Sequence, residues 1–262
     1  MSTSRRPILV LATALAALSA TGHAAAGPGP QPAAADLLPD LRAIKATDFA
    51  VAVDRRGHRW LRLTTEVGNS GQGPLDLRPA AADCNGDGDP RDDRLVFQRI
   101  FQDGNRNGVF ERRRDTTYRD QPAGCMHFHP SHDHWHFVGF ASYTLINARN
   151  GRIVAAATKV SFCAIDTDPR WMDQPGFSSR GRYFECGATA PQGLSVGWGD
   201  IYGAGLPGQA LDVTRVGPGP YCLITVADPQ GRVSESDESN NAAGVRLFLR
   251  GGRRVAYRQR PC

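Results

Sequence analysis

The sequence predicts an all-β protein: an antiparallel β-sandwich core with long irregular loops pinned by disulfides. Three observations point there. WLRLTTEVGNSGQGPLDL (Trp60 to Leu77), FVGFASYTLI (Phe137 to Ile146), VSFCAI, YCLITVAD and GVRLFLRG have strand character, and turns rich in Gly, Pro, Asn and Asp separate them. No amphipathic run extends beyond about two helical turns. All six cysteines (Cys84, Cys125, Cys163, Cys186, Cys222 and Cys262) follow the N-terminal segment. An even number in an exported chain favours disulfides, and without a C-x-x-C pair a cysteine-built zinc site is not expected.

In chain order, residues 1–26 read as a signal peptide. Arg5 and Arg6 precede an apolar run of about 13 residues, and Ala24, Ala25 and Ala26 supply a small-residue cleavage site. That run is too short to span a bilayer. No later stretch approaches a membrane helix, so the expectation is a secreted or periplasmic protein without membrane insertion after signal removal. The SRRP stretch loosely resembles a twin-arginine signal. Residues 27–36, GPGPQPAAAD, form a flexible linker. Residues 37–262 are long enough for one substantial core. Losing Arg5 and Arg6 takes the formal charge from +5 to +3, too mild for a nucleic-acid partner. Residues 78–125 and 166–198 are expected as long irregular stretches of the kind that carry function.

Five of the seven histidines stand in HFHPSHDHWH, residues 127–136. His132, His134 and His136 follow a period of two, which on a strand turns three imidazoles to one face. The outer two α-carbons of a regular strand would lie about 13 Å apart, so a shared metal requires stretched rings or a bent chain. Pro130 disfavours a regular ladder there and suits a bend. Imidazole donors suit copper, zinc, iron and nickel, with copper(II) highest in the affinity order. A solvated polar patch is the plainer reading. His127 and His129 are left open, as outer partners of the ligands or as packed residues. The hydrolase motif H-x-H-x-D-H fails, because its aspartate position is occupied by Ser131 and only His58 remains outside the cluster and leader.

Of 31 basic residues 29 are arginine, leaving Lys45 and Lys159 as the only lysines. Where arginine serves almost every surface charge, a retained lysine can be there because it can lose its proton and act as a nucleophile. Lys45 is read as incidental; Lys159 lies in AATKVSFCAIDT, just after the histidine segment.

Several segments together resemble the lysyl oxidase family. HPSHDHWH followed by FASYTLINARNGRIV resembles its copper-binding segment. TKVSFCAIDT resembles its lysine segment, with the core K-x-S-F-C, and PQGLSVGWGDIYGAGLPGQALDVT its tyrosine segment. VSESDESNN is similar to the family's E-S-D-x-x-N-N, and LLPDL with LRLTTEVGNSGQGPLDL fits upstream. The resemblance runs in order from Leu38 to Cys262, which makes residues 37–262 a lysyl-oxidase-like catalytic domain. It implies that His132, His134 and His136 bind copper, and that Lys159 and Tyr202 form the lysine tyrosylquinone cofactor. The implied activity is oxidative deamination of primary amines, peptidyl lysine or small amines, to aldehydes. Dioxygen is consumed, and ammonia and hydrogen peroxide are released. A phenol near copper and dioxygen can be oxidised to an ortho-quinone to which a neutral amine adds; arginine could not. Asp166 and Asp200 are candidate bases, solvated loop carboxylates being the plainer reading of each. A buried structural tyrosine is the plainer reading of Tyr202.

The chain also departs from the family. Ser131 stands where animal members have a cysteine, and Met126 and Phe128 replace flanking tryptophans. Disulfide pairing therefore does not transfer, and a sequential pattern (84–125, 163–186, 222–262) is expected instead. DCNGDGD (Asp83 to Asp89) and DGNRNGVFE (Asp103 to Glu111) resemble the opening of a calcium loop, which makes Asp103, Asn105 and Asn107 candidate calcium ligands. Arg94 and Arg114 stand where the closing glutamates would be, and ordinary Asx turns are the alternative. The rival from another class is an extracellular metal-binding β-sandwich, a binding or adhesion module without catalytic activity.

Overall fold

The structure, a computed structural model, describes residues 34–262 other than 90, 131, 158–160, 253 and 259–261. The expected signal peptide, residues 27–33 of the linker, Ser131 and Lys159 lie outside the described residues. No helix occurs among those described, and none there is long and apolar enough to cross a membrane.

The chain begins with β1 (Asp36–Leu37), β2 (Leu41–Val53), β3 (Arg59–Asn69) and β4 (Leu75–Pro79). Asp36, the last residue of the expected linker, is already paired with Gln102 and bound by Arg119. Then come β5 (Asp93–Gln102), β6 (Tyr118–His129), β7 (His134–Val138) and β8 (Ala141–Asn147). They are followed by β9 (Ile153–Ala156), β10 (Ser161–Phe162), β11 (Asp168–Pro169) and β12 (Gln192–Leu194). Last are β13 (Trp198–Tyr202), β14 (Ala210–Asp212), β15 (Gly219–Ala227), β16 (Ala242–Leu249) and β17 (Val255–Arg258).

These strands make three antiparallel sheets. The first runs β10-β7-β6-β5-β4-β12, with β1 also on β5; the second runs β11-β13-β3-β14, with β2 on β3; the third runs β17-β16-β15-β8-β9. Strand β2 packs on β15 and β16, which sets the second sheet against the third. One hydrophobic cluster joins Leu61 and Leu63 of β3, Leu223 and Leu247 of the third sheet, and Met126 and Phe137 of the first. Each such side chain contributes roughly 1.5–3 kcal/mol on burial.

The stretch 78–125, expected to be irregular, instead supplies β5 and most of β6. Its inward positions Val96, Gln98 and Ile100 do follow a period of two, but the buried Gln98 hides the pattern. Its amide is satisfied within the protein, donating to Ser234 O at 2.9 Å and accepting from Ser234 N at 2.8 Å. The register shifts between Val96 and Phe97, opposite Gly124 at φ +120°, a backbone that L side chains rarely adopt. Residues 166–198 remain mostly irregular apart from β11 and β12. The disulfides are Cys84–Cys125, Cys163–Cys186 and Cys222–Cys262, the sequential pattern expected.

Candidate metal centre

Strands β6 and β7 pair His127 with His136, Phe128 with Trp135, and His129 with His134. Because alternate residues point to opposite faces, the four imidazoles share one side. Met126, Phe128, Trp135 and Phe137 share the other, where Met126 and Phe137 are buried in the core. Burial of the apolar face thus decides where the histidines point. His136 is itself only 1% exposed.

The bend that a shared metal requires is present. His132 lies in the turn between β6 and β7, where its backbone N–H and that of Asp133 both donate to His129 O, at 3.0 and 2.9 Å. Asp133 takes φ 56°, the left-handed conformation that Asp tolerates better than most residues. The His132 ring is thereby folded back, 5.5 Å from that of His134 and 5.1 Å from that of His136. One nitrogen from each of His132, His134 and His136 lies within 4.8 Å of the others. His132 Nδ1 and His136 Nε2 are 3.3 Å apart. Two ligands held at about 2.0–2.1 Å by one tetrahedral ion stand at about that separation. Three imidazoles without a carboxylate among them suit a borderline transition metal rather than calcium. The residues fit copper.

Strand β10 forms the wall beside this site. Ser161 pairs with Val138, and its hydroxyl lies 3.4 Å from His136 Nδ1 and 3.3 Å from His127 Nε2. Ser161 thus links His127 to His136, and burial lowers the His127 pKa. His129 stands closer, its ring 4.2 Å from that of His132 and 4.8 Å from that of His136. The next residue, Phe162, faces the core, and Tyr202 packs edge-on against it at 4.6 Å. The Tyr202 hydroxyl donates to Cys163 O at 2.6 Å. Burial raises its pKa well above the usual value, and the neighbouring Asp200 charge adds to that. Tyr202 thus lies on the core side of β10, whereas Ser161 turns to the histidines.

Residues 107–258 match the lysyl oxidase family, more than half of the 262-residue chain. The chain belongs to the lysyl oxidase family. Among curated relatives, lysyl oxidase homolog 3B of Danio rerio is 41% identical over 116 residues, 44% of this chain and 13% of that protein. Protein-lysine 6-oxidase of Homo sapiens is 38% identical over 131 residues, 50% of this chain and 29% of that protein. The Sus scrofa protein-lysine 6-oxidase is also 38% identical over 131 residues, covering 49% of its length. The match therefore covers less than half the length of each of these relatives.

The segment shared with the lysyl oxidase family contains every residue singled out for copper and quinone. Of these, the three histidines are brought together, Tyr202 stands on the far side of β10, and Lys159 lies outside the described residues. Neither candidate base is a solvated loop carboxylate. Asp166 is buried and clamps a loop: it accepts from Arg182 N at 2.6 Å, Tyr183 N at 3.1 Å, Ser195 N at 2.8 Å and Ser195 Oγ at 2.7 Å. Asp200 is buried beside Tyr202, accepting from Thr167 Oγ1 at 3.2 Å, and burial pushes its carboxyl up to about 7. Sequence reasoning missed Ser161, although it stands within the K-x-S-F-C core. The Asp103 loop satisfies itself: Asp103 accepts from Asn107 N at 3.2 Å and Gly108 N at 2.7 Å, and the Asn105 and Asn107 amides donate to Glu111.

Proposed function

We propose that the protein is a secreted or periplasmic, copper-dependent amine oxidase acting on primary amines, lysine side chains among them. The observation that carries this reading is the two-sided strand β10: Ser161 touches the histidine face, while Phe162 and Cys163 hold Tyr202. Family membership supports it, as does the name protein-lysine 6-oxidase borne by two relatives. Three disulfides fit an oxidising compartment.

His132, His134 and His136 would hold the copper, and Lys159 with Tyr202 would form the lysine tyrosylquinone. When bound, copper with dioxygen supplies the oxidation of the phenol, and the quinone supplies the electrophilic carbonyl and two-electron sink that amine oxidation needs. The chain's own groups set the stage. Ser161 Oγ accepts the Nδ1 proton of His136, which leaves Nε2 as the donor atom toward the triad. Burial, with the Asp200 carboxyl beside it, keeps the Tyr202 phenol protonated. Cys163 O and the Phe162 ring hold the phenol on the core side of β10. We assign calcium at Asp103, Asn105 and Asn107 no part in this chemistry.

One observation favours a second reading, a metal-binding sandwich module without the cofactor. Tyr202, hydrogen-bonded to a carbonyl and packed on the core, also serves as an ordinary structural tyrosine. Aerobic copper loading followed by proteolysis separates the two. The oxidase yields one cross-linked peptide containing Lys159 and Tyr202, with a quinone absorption that phenylhydrazine quenches; two separate unmodified peptides favour the module. Lys159→Arg should abolish peroxide release from amines while fold and copper binding persist, and retained activity would remove the cofactor assignment.

A further inference from the structure

A cavity of about 300 Å³ is lined by Arg112, Arg113, Arg180 and Arg182 and by no carboxylate. An adjoining cavity of about 310 Å³ shares Arg112 and Arg182, and adds Arg78 with a single acid, Glu185. The arginines come from distant segments: Arg78 from β4, Arg112 and Arg113 from the turn between β5 and β6, and Arg180 and Arg182 from the loop between β11 and β12. Their convergence is a product of the fold, not a run of like charge in the sequence.

Arg182 is held from behind. Its backbone N–H is bound to Asp166, and Nη2 lies 3.3 Å from the fully buried Asp76, which also pairs with Arg78. Its Nη1 is buried and has no hydrogen-bond partner. A buried N–H without an acceptor carries a desolvation penalty. Arg112, Arg113 and Arg180 form no ion pair among the described residues. Two buried carboxylates, Asp76 and Asp166, therefore stand behind five guanidiniums that repel one another.

We propose that this cavity binds a tetrahedral oxyanion, a phosphate or sulfate group, either free or carried on a larger molecule. Guanidinium forks pair bidentately with such groups. Four of them exceed what the two oxygens of a carboxylate can engage, whereas a phosphate or sulfate presents oxygens in several directions. The volume sits at the lower end for small-ligand pockets. This site is independent of the oxidase reading, since none of these arginines belongs to the histidine cluster or its tyrosine neighbour.

Calorimetric titration of the full chain at constant ionic strength tests it, with inorganic phosphate, inorganic sulfate, glycerol 2-phosphate and acetate as separate probes. Phosphate and sulfate should bind saturably at one site. Binding should weaken at least about tenfold in Arg113→Ser/Arg180→Ser, two exposed positions whose loss leaves the ligand-free melting temperature unchanged. Glycerol 2-phosphate binding as well as free phosphate assigns an esterified group; preference for the free ion assigns the ion itself. The site is overturned by absence of saturable heat, by equal binding in the double variant, or by acetate matching phosphate. An equal loss in the exposed control pair Arg55→Ser/Arg56→Ser also overturns it, because binding would then follow net charge alone.

Discussion

Ser161 is a small side chain with two histidine neighbours, and its consequence is measurable. A ligand imidazole whose second nitrogen is fixed by a hydrogen bond keeps the right tautomer and ring orientation, and losing such a partner typically costs 10–100-fold in metal affinity. Ser161→Ala should therefore lower apparent copper affinity by about that factor in a competition titration, with an unchanged circular dichroism spectrum. Unchanged affinity would mean that the 3.3–3.4 Å contacts do not orient the ring. The histidines themselves were legible because five imidazoles in ten positions have few other uses. Ser161 was not, because serine is common in strands and its neighbours His136 and His127 stand 25 and 34 residues away in the chain. Lys159 drew notice through composition, since lysine is so scarce here, and Tyr202 only through its surrounding motif.

The β6–β7 hairpin owes its geometry to one backbone conformation. Asp133 holds φ 56°, and the fold-back of His132 depends on it. A β-branched residue is strained there by roughly 1–3 kcal/mol, whereas glycine is not. Asp133→Val should lower the urea midpoint and weaken copper binding together, and Asp133→Gly should preserve both; equal behaviour of the two variants would place the bend elsewhere. Sequence periodicity foresaw β7, β8, β15 and β16, where apolar residues alternate openly. It passed over β5 and most of β6 because Arg94, Gln98 and Arg99 interrupt the apolar pattern, and the burial of Gln98 becomes intelligible only with Ser234 opposite it. Strand β10 falls within VSFCAI, which the sequence marks as strand, although only Ser161 and Phe162 pair with β7.

Taken over all its strands, the fold tolerates several carboxyls in its interior, and this sets how stability responds to pH. Burial pushes Asp200 from 3.8 up to about 7, Glu66 up to about 7 and Glu235 up to about 8. Between its unfolded pKa, about 4, and these values each group binds a proton in the native state that the unfolded chain has released. Their contribution is complete below about pH 4 and is lost as pH rises through 7 to 8. The urea midpoint should fall from pH 5 to pH 8, with Asp200 accounting for at most about 3 kcal/mol. Asp200→Asn should flatten that slope, and an unaltered slope would remove Asp200 as its source. The disulfide Cys163–Cys186 joins two anchor points. The carbonyl of Cys163 holds the Tyr202 hydroxyl, and that of Cys186 accepts the Trp135 N–H between two histidines. This single covalent strut thus braces the Tyr202 pocket against the histidine hairpin. Held in a reducing compartment, the chain would lack this strut and the tie between Tyr202 and the histidine hairpin would rest on packing and hydrogen bonds alone.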